Sequence, residues 1–455
     1  MAEAFDLIVI GAGSAARDGA KKAAREHGAR VALVERARWG GSCPNVACKP
    51  TKAYLVAAEL VHDINTLAGK LGIEVGPARA NLARVKARKD SLIKPQPTWV
   101  EDLKAAGFTT YDGEAALVDA HTVRVGNEEL QADRILIATG SRTAVPPIEG
   151  IDDVDWIDHV SALELTELPE SLLILGGGAV GLEFGQTLAR FGSKVTIVDG
   201  MDHIAPRSDP AAAAELAAAL EDEGIELVTN TFVSNVRQEE DGIEAVLSPR
   251  DRSPERTLRA TRLMLASGRV PNVEELGLEQ VGVETTYQGI VVDEHLRTSV
   301  EGIWAAGDVT AVAQFTPVAQ YQARIAIADM FGAEASADYD ALPTAIFTDP
   351  ELAQLGLTEA EARDKGFQPE SVRHDLKDVQ RASYTDSKHG LYKLVFDGPT
   401  RRLLGVHVVS RSASDIVQGL AVAMKLGATV DDLAHVHHAF PTLGEGIKAA
   451  AEQAS

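Results

Sequence analysis

Short runs of aliphatic and β-branched residues recur along the chain, and two of them lead through glycines into a helical pattern. Continuous apolar runs of this length are typical of parallel strands buried on both faces of a sheet. Buried strands are predicted at 5–10, 31–34, 135–140, 172–175, 195–198, 263–268 and 303–308. Helices are predicted at 18–26, 52–63, 182–191 and 210–222, with a further helical stretch at 81–104 and a β-meander at 121–137. The alternation of strands and helices predicts an α/β fold.

The first strand runs directly into a glycine motif of the form G-x-G-x-x-A. Gly11, Gly13 and Ala16 hold its fixed positions, a helix follows, and the next strand ends in Glu35, 24 residues after Gly11. Glycines let the backbone approach a pyrophosphate at a helix N-terminus, where amide groups favour anions. An acid at this spacing is placed to accept hydrogen bonds from a ribose diol. Together these features predict a dinucleotide site.

The same arrangement occurs a second time as a full G-x-G-x-x-G. Gly176, Gly178 and Gly181 form the motif, and Asp199 ends the next strand 23 residues after Gly176. Two such motifs imply two dinucleotides. Asp199 would repel a 2′-phosphate and accept from a free 2′-hydroxyl, and no arginine follows it before Arg207. The second site is therefore expected to prefer NAD over NADP.

Charge and composition narrow the classes of partner. The 455-residue chain carries 67 acidic and 44 basic residues, a formal net charge of −23. Nucleic acids and anionic membranes bind cationic faces, so neither is expected as a partner. No run of 18 apolar residues occurs, and no basic stretch precedes residues 5–10, so neither a membrane span nor a signal peptide is predicted. Two cysteines cannot build a secreted disulfide scaffold of this length, and a cytoplasmic location is expected.

Both cysteines lie in one short segment, as Cys43 and Cys48. Five residues of ideal helix rise about 7.5 Å, whereas a disulfide needs Cα atoms roughly 4.4–6.8 Å apart. Bridging the pair therefore requires a tightened or broken turn, which Pro44 and Pro50 could supply. The sulfurs are either two separate buried thiols or a dithiol that cycles between oxidation states. We favour the cycling dithiol, because a nucleotide motif lies on each side of it.

In this order the motifs resemble those of the class I pyridine nucleotide–disulfide oxidoreductases, which include dihydrolipoyl dehydrogenase, glutathione reductase and mercuric reductase. Residues 40–52 are similar to the family's redox motif, 298–308 to its second flavin motif and 347–358 to the start of its dimerisation domain. The resemblance implies two doubly wound, Rossmann-like domains and a C-terminal α+β dimerisation domain. It divides the chain into a FAD-binding part with the dithiol at 1–147, an NAD(P)-binding domain at 148–270, a second FAD-binding or central part at 271–337 and a dimerisation domain at 338–455.

The resemblance also implies where the cofactors bind. FAD would occupy the first glycine motif and NAD the second, and Asp308 would bind the ribityl chain of FAD. The backbone at Ala115, Gly140 and Thr316 would touch FAD. Gly268 closes the second βαβ unit as Gly140 closes the first, and it is placed among the cofactor-binding residues.

Roles for the reactive side chains follow from the same resemblance. Cys48 would lie against the flavin as the charge-transfer thiol, and Cys43 would be the interchange thiol that meets the substrate. Lys52 and Glu183 would pair near the flavin's reactive nitrogen. Because each active site of the family takes its C-terminal motif from the partner subunit, a homodimer is implied.

The C-terminal motif departs from the family. Disulfide reductases end with His-x-His-Pro-Thr-x-x-Glu, in which the second histidine is the general acid/base and the glutamate orients it. This chain has His438 at the first histidine, Phe440 at the second and Glu445 at the acid. A phenyl ring has no titratable proton and cannot act as a general acid or base. The sequence therefore argues against ordinary disulfide reduction by the family's standard route. Mercuric reductases also lack that histidine, but they carry a C-terminal cysteine pair that this chain does not have.

The leading hypothesis is a flavoenzyme that passes electrons from NAD(P)H through FAD to Cys43 and Cys48. The final acceptor would be a metal ion held by these two thiols, as in mercuric reductase, or an unusual small disulfide. One alternative is a dihydrolipoyl dehydrogenase-like enzyme in which His438 replaces the missing base. A different class of alternative is a non-catalytic flavoprotein, or a protein that sequesters a metal at the two cysteines and the histidines His435, His437 and His438.

Overall fold

The computed structural model describes residues 3–454, which form two compact units. The first unit combines the residues up to Thr51 with Arg88–Ala144 and Gly268–Asp338. The second combines Lys52–Ala87 with Val145–Ser267 and the residues from Tyr339 onwards. Each unit contains one of the two glycine motifs.

The first unit is built on a parallel five-stranded sheet. Its strands lie in the order Ile303–Ala305, Ile135–Ile137, Leu7–Ile10, Val31–Glu35 and Thr109–Asp112. Every residue of the middle strand is buried, as its unbroken apolar run predicts. Two helices, Ser14–His27 and Thr316–Met330, pack together beside the sheet through alanines, among them Ala20, Ala23 and Ala323. Small side chains at these positions let the helix backbones approach closely.

Smaller elements complete the first unit. A four-stranded sheet has the order Glu3–Phe5, Glu128–Ala132, Thr122–Val125 and Ala115–Leu117, and two ribbons pair Ser141–Thr143 with Arg269–Pro271 and Thr285–Thr286 with Gly289–Ile290. The other helices are Ser42–Asn45, Gln96–Ala105, Leu278–Val281 and the 3-10 turn Asp308–Thr310. Two helices, Cys48–Thr66 and Leu82–Leu92, have residues in both units.

The second unit repeats the parallel sheet. Its strands lie in the order Trp156–Ile157, Arg262–Leu265, Ser171–Leu175, Lys194–Val198 and Glu226–Val228. The helices are Ala179–Phe191, Pro210–Asp222, the short His159–Ala162 and the 3-10 turn Ile151–Asp153. An antiparallel sheet of Thr231–Glu239, Gly242–Pro249 and Arg256–Ala260 accompanies them.

The C-terminal part of the second unit is an antiparallel sheet with helices. The strand order is Pro343–Ile346, Glu351–Gly356, Leu403–Ser410, Leu391–Asp397 and Pro369–Asp375. The helices are Glu359–Asp364, Gln380–Tyr384, Ala413–Lys425, Val430–His435 and Glu445–Glu452, with the 3-10 turn Leu376–Asp378. The two doubly wound sheets and this α+β part confirm the predicted fold class.

Several predicted boundaries move. The helices after the two glycine motifs begin at Ser14 and Ala179, before the predicted starts at 18 and 182, because the last motif residues form the first helical turn. The stretch 81–104 contains two helices, since Pro95 disfavours helical backbone at the residue before it. The meander at 121–137 is wrong beyond residue 132, because Ile135–Ile137 joins the parallel sheet. Across residues 3–454, no helix has the length and apolar character needed to cross a membrane.

Candidate active site

The two cysteines lie on separate helices. Cys43 is in the helix Ser42–Asn45, and Cys48 begins the helix Cys48–Thr66. The chain breaks between them at Val46, whose φ of −141° is not helical, and no disulfide joins Cys43 to Cys48 in this structure. The break that the spacing predicts is therefore present. The prolines do not make it, because each is the third residue of its helix, where the backbone amide needs no partner within the helix.

Side-chain hydrogen bonds hold the loop before the dithiol. The buried Asn45 donates from Nδ2 to the carbonyl oxygens of Trp39, at 3.0 Å, and Gly41, at 2.7 Å. Cys48 is exposed, and its sulfur lies 3.7 Å from Oγ1 of Thr316 at the start of the helix Thr316–Met330. A predicted cofactor contact and the predicted charge-transfer thiol thus lie side by side.

The first glycine motif has the geometry of a dinucleotide cradle. Gly11 has φ +108°, and a Cβ there would lie 2.3 Å from the carbonyl oxygen of Ala138. The carboxylate of Glu35 accepts hydrogen bonds from the amides of Ala12 at 2.9 Å and Ala37 at 2.8 Å. Gly13 is the N-cap residue of the helix Ser14–His27. Because glycine has no side chain, this helix end has no side-chain capping hydrogen bond. The helix end without a side-chain cap and the close backbone approach fit a pyrophosphate, as FAD carries.

The second glycine motif forms hydrogen bonds and a close backbone contact that match those of the first. The amide of Gly176 donates to Val198 at 2.8 Å, as Gly11 donates to Val34 at 2.7 Å. A Cβ on Gly176 would lie 2.3 Å from the carbonyl oxygen of Ala266, the distance found at Gly11. Asp199 accepts from the amide of Gly177 at 2.6 Å, as Glu35 accepts from Ala12. This duplication fits a second dinucleotide.

The predicted residue Asp308 belongs to a hydrogen-bonded cluster next to Gly140 in the first unit. Asp308 accepts a 2.6 Å hydrogen bond from Oγ of Ser141, which directly follows Gly140. Arg269 donates from Nε to the same hydroxyl at 2.7 Å and lies 3.7 Å from the Asp308 carboxylate. Sequence reasoning missed Ser141 and Arg269, which lie 128 residues apart. Ala115 lies in the four-stranded sheet, apart from this cluster.

The structure also places a cation beside the second acid. Nη1 of Arg250 donates to the carbonyl oxygen of Gly200 at 3.1 Å, next to Asp199. Sequence reasoning considered only Arg207, because Arg250 lies 50 residues beyond Gly200. Gly268, which was expected near this nucleotide, belongs to the first unit, where its carbonyl oxygen accepts from the amide of Ala144 at 3.0 Å.

Lys52 and Glu183 form the predicted pair within the second unit. Nζ of Lys52 lies 2.7 Å from the buried Glu183 carboxylate and 4.2 Å from the ring centroid of Phe347. The other oxygen of Glu183 accepts from the amide of Phe347 at 3.1 Å. The ion pair is thus oriented from both ends, by a backbone donor and by an aromatic face.

A cavity of about 130 Å³, lined in part by Lys52 and Phe347, opens beside this pair. Asp349 lies on its wall. Burial opposes its charge, but hydrogen bonds from Arg411 and the nearby Arg190 hold its pKa below the ordinary value. Burial and the charge of Asp349 raise the pKa of Glu59, and burial raises that of Glu351. The cavity wall therefore combines fixed ion pairs with carboxyl groups that take up a proton more readily than usual.

Comparison with known proteins assigns the family. The profile described as pyridine nucleotide-disulphide oxidoreductase matches residues 5–323, and the profile of that family's dimerisation domain matches residues 342–451. The chain belongs to the pyridine nucleotide-disulphide oxidoreductase family. The resemblance seen in the sequence is confirmed, and the protein is a flavin-dependent oxidoreductase of a family that uses FAD and NAD(P)H.

Relatives cover almost the whole chain. A mercuric reductase from Streptomyces lividans is 39% identical over 98% of this chain and 96% of its own length. A dihydrolipoyl dehydrogenase from Geobacillus stearothermophilus is 34% identical over 99% and 96%. The solved Cu(II) complex of RclA, an HOCl-induced flavoprotein disulfide reductase from Escherichia coli, has a TM-score of 0.87 at 29% identity and 100% coverage of both chains.

The family's C-terminal motif is altered at its surface. Phe440 is 73% exposed at the position of the acid/base histidine. Burial and the charge of Lys448 lower the pKa of the half-buried His438, and the charge of Glu445 opposes this shift. Glu445 accepts a 2.8 Å hydrogen bond from the amide of Thr442. Throughout residues 3–454, no group of three or more His, Cys, Asp or Glu side chains is arranged to hold a metal ion.

Proposed function

We propose that this protein is an NAD(P)H-dependent metal-ion reductase, in which Cys43 and Cys48 bind the metal ion and pass it electrons. The observation that carries the proposal is Phe440, exposed where a disulfide reductase needs an acid/base. Releasing two thiols from a disulfide substrate consumes protons, whereas reducing a metal ion consumes electrons alone. An intact dithiol without a proton carrier therefore suits a metal ion better.

The chemistry balances without the missing histidine. Thiolates are soft ligands and favour ions such as Hg(II) and copper. FAD bound at the first glycine motif would supply the hydride chemistry that returns two electrons from the nicotinamide to the oxidised Cys43–Cys48 pair. One NADH provides two electrons, which reduce one Hg(II) to Hg(0) or two Cu(II) to Cu(I), with release of NAD⁺ and one proton. The proteins similar to this chain include mercuric reductases and RclA, which was solved as a Cu(II) complex. Both support a metal ion as the acceptor class.

Roles for the other residues belong to the same proposal. The motif of Gly11, Gly13, Ala16 and Glu35 would hold FAD, together with Asp308. The motif of Gly176, Gly178, Gly181 and Asp199 would hold the nicotinamide nucleotide, with NAD preferred. Lys52 and Glu183 would orient the reacting rings. A homodimer is proposed because the chain carries the family's dimerisation domain.

An acceptor comparison tests this function. The FAD-loaded protein is mixed anaerobically with NADH and with mercuric chloride, cupric chloride, lipoamide or glutathione disulfide, and NADH oxidation is followed at 340 nm. We expect turnover with a metal ion, and we expect Cys43→Ser and Cys48→Ser each to reduce it to the protein-free rate. Ser42→Ala, next to Cys43 and exposed, is the matched control that retains turnover.

Two results would contradict the proposal. The first is faster turnover with lipoamide or glutathione disulfide than with either metal ion, which would favour a dihydrolipoyl dehydrogenase-like enzyme that uses His438. The second is metal-ion turnover that survives Cys43→Ser, which would place the reduction away from the dithiol.

A further inference from the structure

The structure adds a cation to the wall of the second nucleotide site. The sequence assigned this site to NAD, because Asp199 would repel a 2′-phosphate and no arginine lies close to it along the chain. We infer that Arg250 is a specificity-determining residue whose guanidinium binds the 2′-phosphate of NADPH, so that the site accepts both nicotinamide nucleotides. This inference rests on the proposed function, in which the second glycine motif holds the nicotinamide nucleotide.

Backbone hydrogen bonds place Arg250 beside the acid. The carbonyl oxygen of Asp199 accepts from the amide of Thr231 at 3.0 Å, and that of Met201 accepts from the amide of Asn230 at 2.7 Å. The carbonyl oxygen of Asn230 accepts in turn from the amide of Arg250 at 2.7 Å. The turn that carries Asp199 is therefore joined, through a second turn, to the segment that carries Arg250.

The side chain of Arg250 lies on the turn that follows Asp199. Its Nη1 donates to the carbonyl oxygen of Gly200 at 3.1 Å, and its Cζ lies 5.7 Å from the ring centroid of Phe232. Phe232 is 55% exposed and packs on Gly200, where a Cβ would lie 2.2 Å from Cε1 of the ring. A carbonyl oxygen and an aromatic face therefore hold the guanidinium next to Asp199.

Most of the donors of this guanidinium are not used by the protein. An arginine has five N–H donors in a planar fork. Across residues 3–454, Arg250 forms no ion pair, and its side-chain hydrogen bond goes to Gly200. By contrast, Arg237 and Arg259 of the adjoining antiparallel sheet both pair with Glu244. A planar fork with free donors matches the oxygens of a phosphate.

Backbone donors already compensate part of the charge of Asp199. Its two carboxylate oxygens accept from the amides of Gly177 at 2.6 Å and Met201 at 2.8 Å. Two further acids in these turns, Asp202 and Asp251, are exposed, so solvent screens their charge. The repulsion that a 2′-phosphate meets here is therefore moderate, and one arginine can offset it.

The first glycine motif has acids where the second has Arg250. Glu35 lies opposite Asp112 on the neighbouring strand, and Glu114 follows closely in the sequence. The arginine next to that acid, Arg36, is paired with Glu114, with Nη1 3.8 Å from Oε1. An acidic edge suits the unmodified ribose in the adenosine of FAD, whereas a basic edge suits a ribose that carries a phosphate.

Binding of two oxidised nucleotides tests the inference. NAD⁺ and NADP⁺ differ only in the 2′-phosphate, and neither can donate a hydride, so calorimetric titration of the oxidised, FAD-loaded protein measures binding alone. We expect the two Kd values of the parent protein to lie within roughly tenfold of each other, because Asp199 and Arg250 favour different nucleotides. Arg250→Met should raise the Kd for NADP⁺ roughly tenfold and that for NAD⁺ by less than about twofold.

Two matched variants separate phosphate binding from general charge. Arg250→Lys keeps the positive charge without the planar fork and should recover part of the affinity for NADP⁺. Arg259→Met removes an exposed arginine from the adjoining sheet and should leave the ratio of the two Kd values at the parent level. FAD absorbance identifies the flavin-loaded protein, and Arg250→Gln replaces Arg250→Met if the latter does not load FAD.

The inference is overturned if Arg250→Met leaves the Kd for NADP⁺ unchanged or weakens both nucleotides equally. It is also overturned if Arg259→Met changes the ratio as much, or if the parent protein does not bind NADP⁺. The titrations contain no electron acceptor. Failure of metal-ion turnover would therefore end the metal-reductase proposal, while the ratio of the two Kd values would still report on Arg250.

Discussion

At the scale of single residues, Phe440 is the side chain on which the proposed function depends. Phe440 is exposed, so its phenyl ring contributes little to the stability of the fold. Glu445, which would orient a histidine at that position, remains in place and holds the amide of Thr442. The motif therefore keeps its backbone scaffold while it lacks the proton carrier.

Phe440→His should restore part of the disulfide chemistry. The imidazole would supply general acid/base catalysis, which typically contributes about 10²–10⁴-fold, and we expect lipoamide turnover to rise by at least roughly tenfold. Steady-state NADH oxidation with lipoamide measures this. Phe440→Gln is the control, since an amide is polar but does not titrate. Equal gains in both variants would show that proton transfer at this position is not what limits disulfide reduction.

At the scale of elements, the strand–glycine–helix unit appears twice with the same hydrogen bonds. Its glycines have different reasons to lack a side chain. A Cβ on Gly181 would lie 1.9 Å from the carbonyl oxygen of Gly176, so the turn itself excludes it. At Gly178, by contrast, no atom of the described residues other than those of Gly178 and its two chain neighbours lies within 4 Å of such a Cβ.

These two glycines give a paired prediction. Gly181→Ala should destabilise the protein by about 1–3 kcal/mol through overpacking. Gly178→Ala should change the unfolding free energy by less than about 0.5 kcal/mol, yet raise the Kd for NADH roughly tenfold because the methyl group meets the nucleotide. Urea unfolding and fluorescence titration measure the two quantities. Unchanged NADH binding by Gly178→Ala would place the nucleotide elsewhere.

At the scale of the whole molecule, buried titratable groups couple stability to pH. His407 is 1% exposed in the C-terminal sheet, with Nε2 3.2 Å from the carbonyl oxygen of Leu357. Its Nδ1 is buried, and no residue in the described range 3–454 bonds to it. Burial lowers the pKa of His407 below its ordinary value, so the native state holds this imidazole neutral.

The sign of the pH effect follows from that shift. Below about pH 6.5 the unfolded chain binds a proton at His407 that the folded protein does not, so stability falls by up to about 1.4 kcal/mol per pH unit. We expect urea unfolding at pH 7.5 and 5.5 to show a loss that is smaller in His407→Gln by roughly 1 kcal/mol. His121→Gln, at an exposed site, should lose as much as the wild type. An equal loss in His407→Gln would assign the effect to other groups.

The sequence by itself determined the repeated nucleotide units, the isolated dithiol and the altered C-terminal motif. These features are local, because a buried strand, a tight glycine turn and a helix follow one another within about thirty residues. Residues that act through their immediate neighbours, such as Gly11 or Cys48, can therefore be identified from the sequence. The four-part division of the chain and the roles of the site residues stay predictions.

Only the tertiary structure decided which distant side chains meet. Arg269 reaches Ser141 across 128 residues and also lies beside Asp308. Arg250 reaches Gly200, and Phe347 covers Lys52. The local sequence pattern does not predict such partners, because an arginine on a strand or in a turn has the pattern of an ordinary surface residue. The close approach of the Gly41 backbone to Gly13 likewise exists only once the sheet has formed.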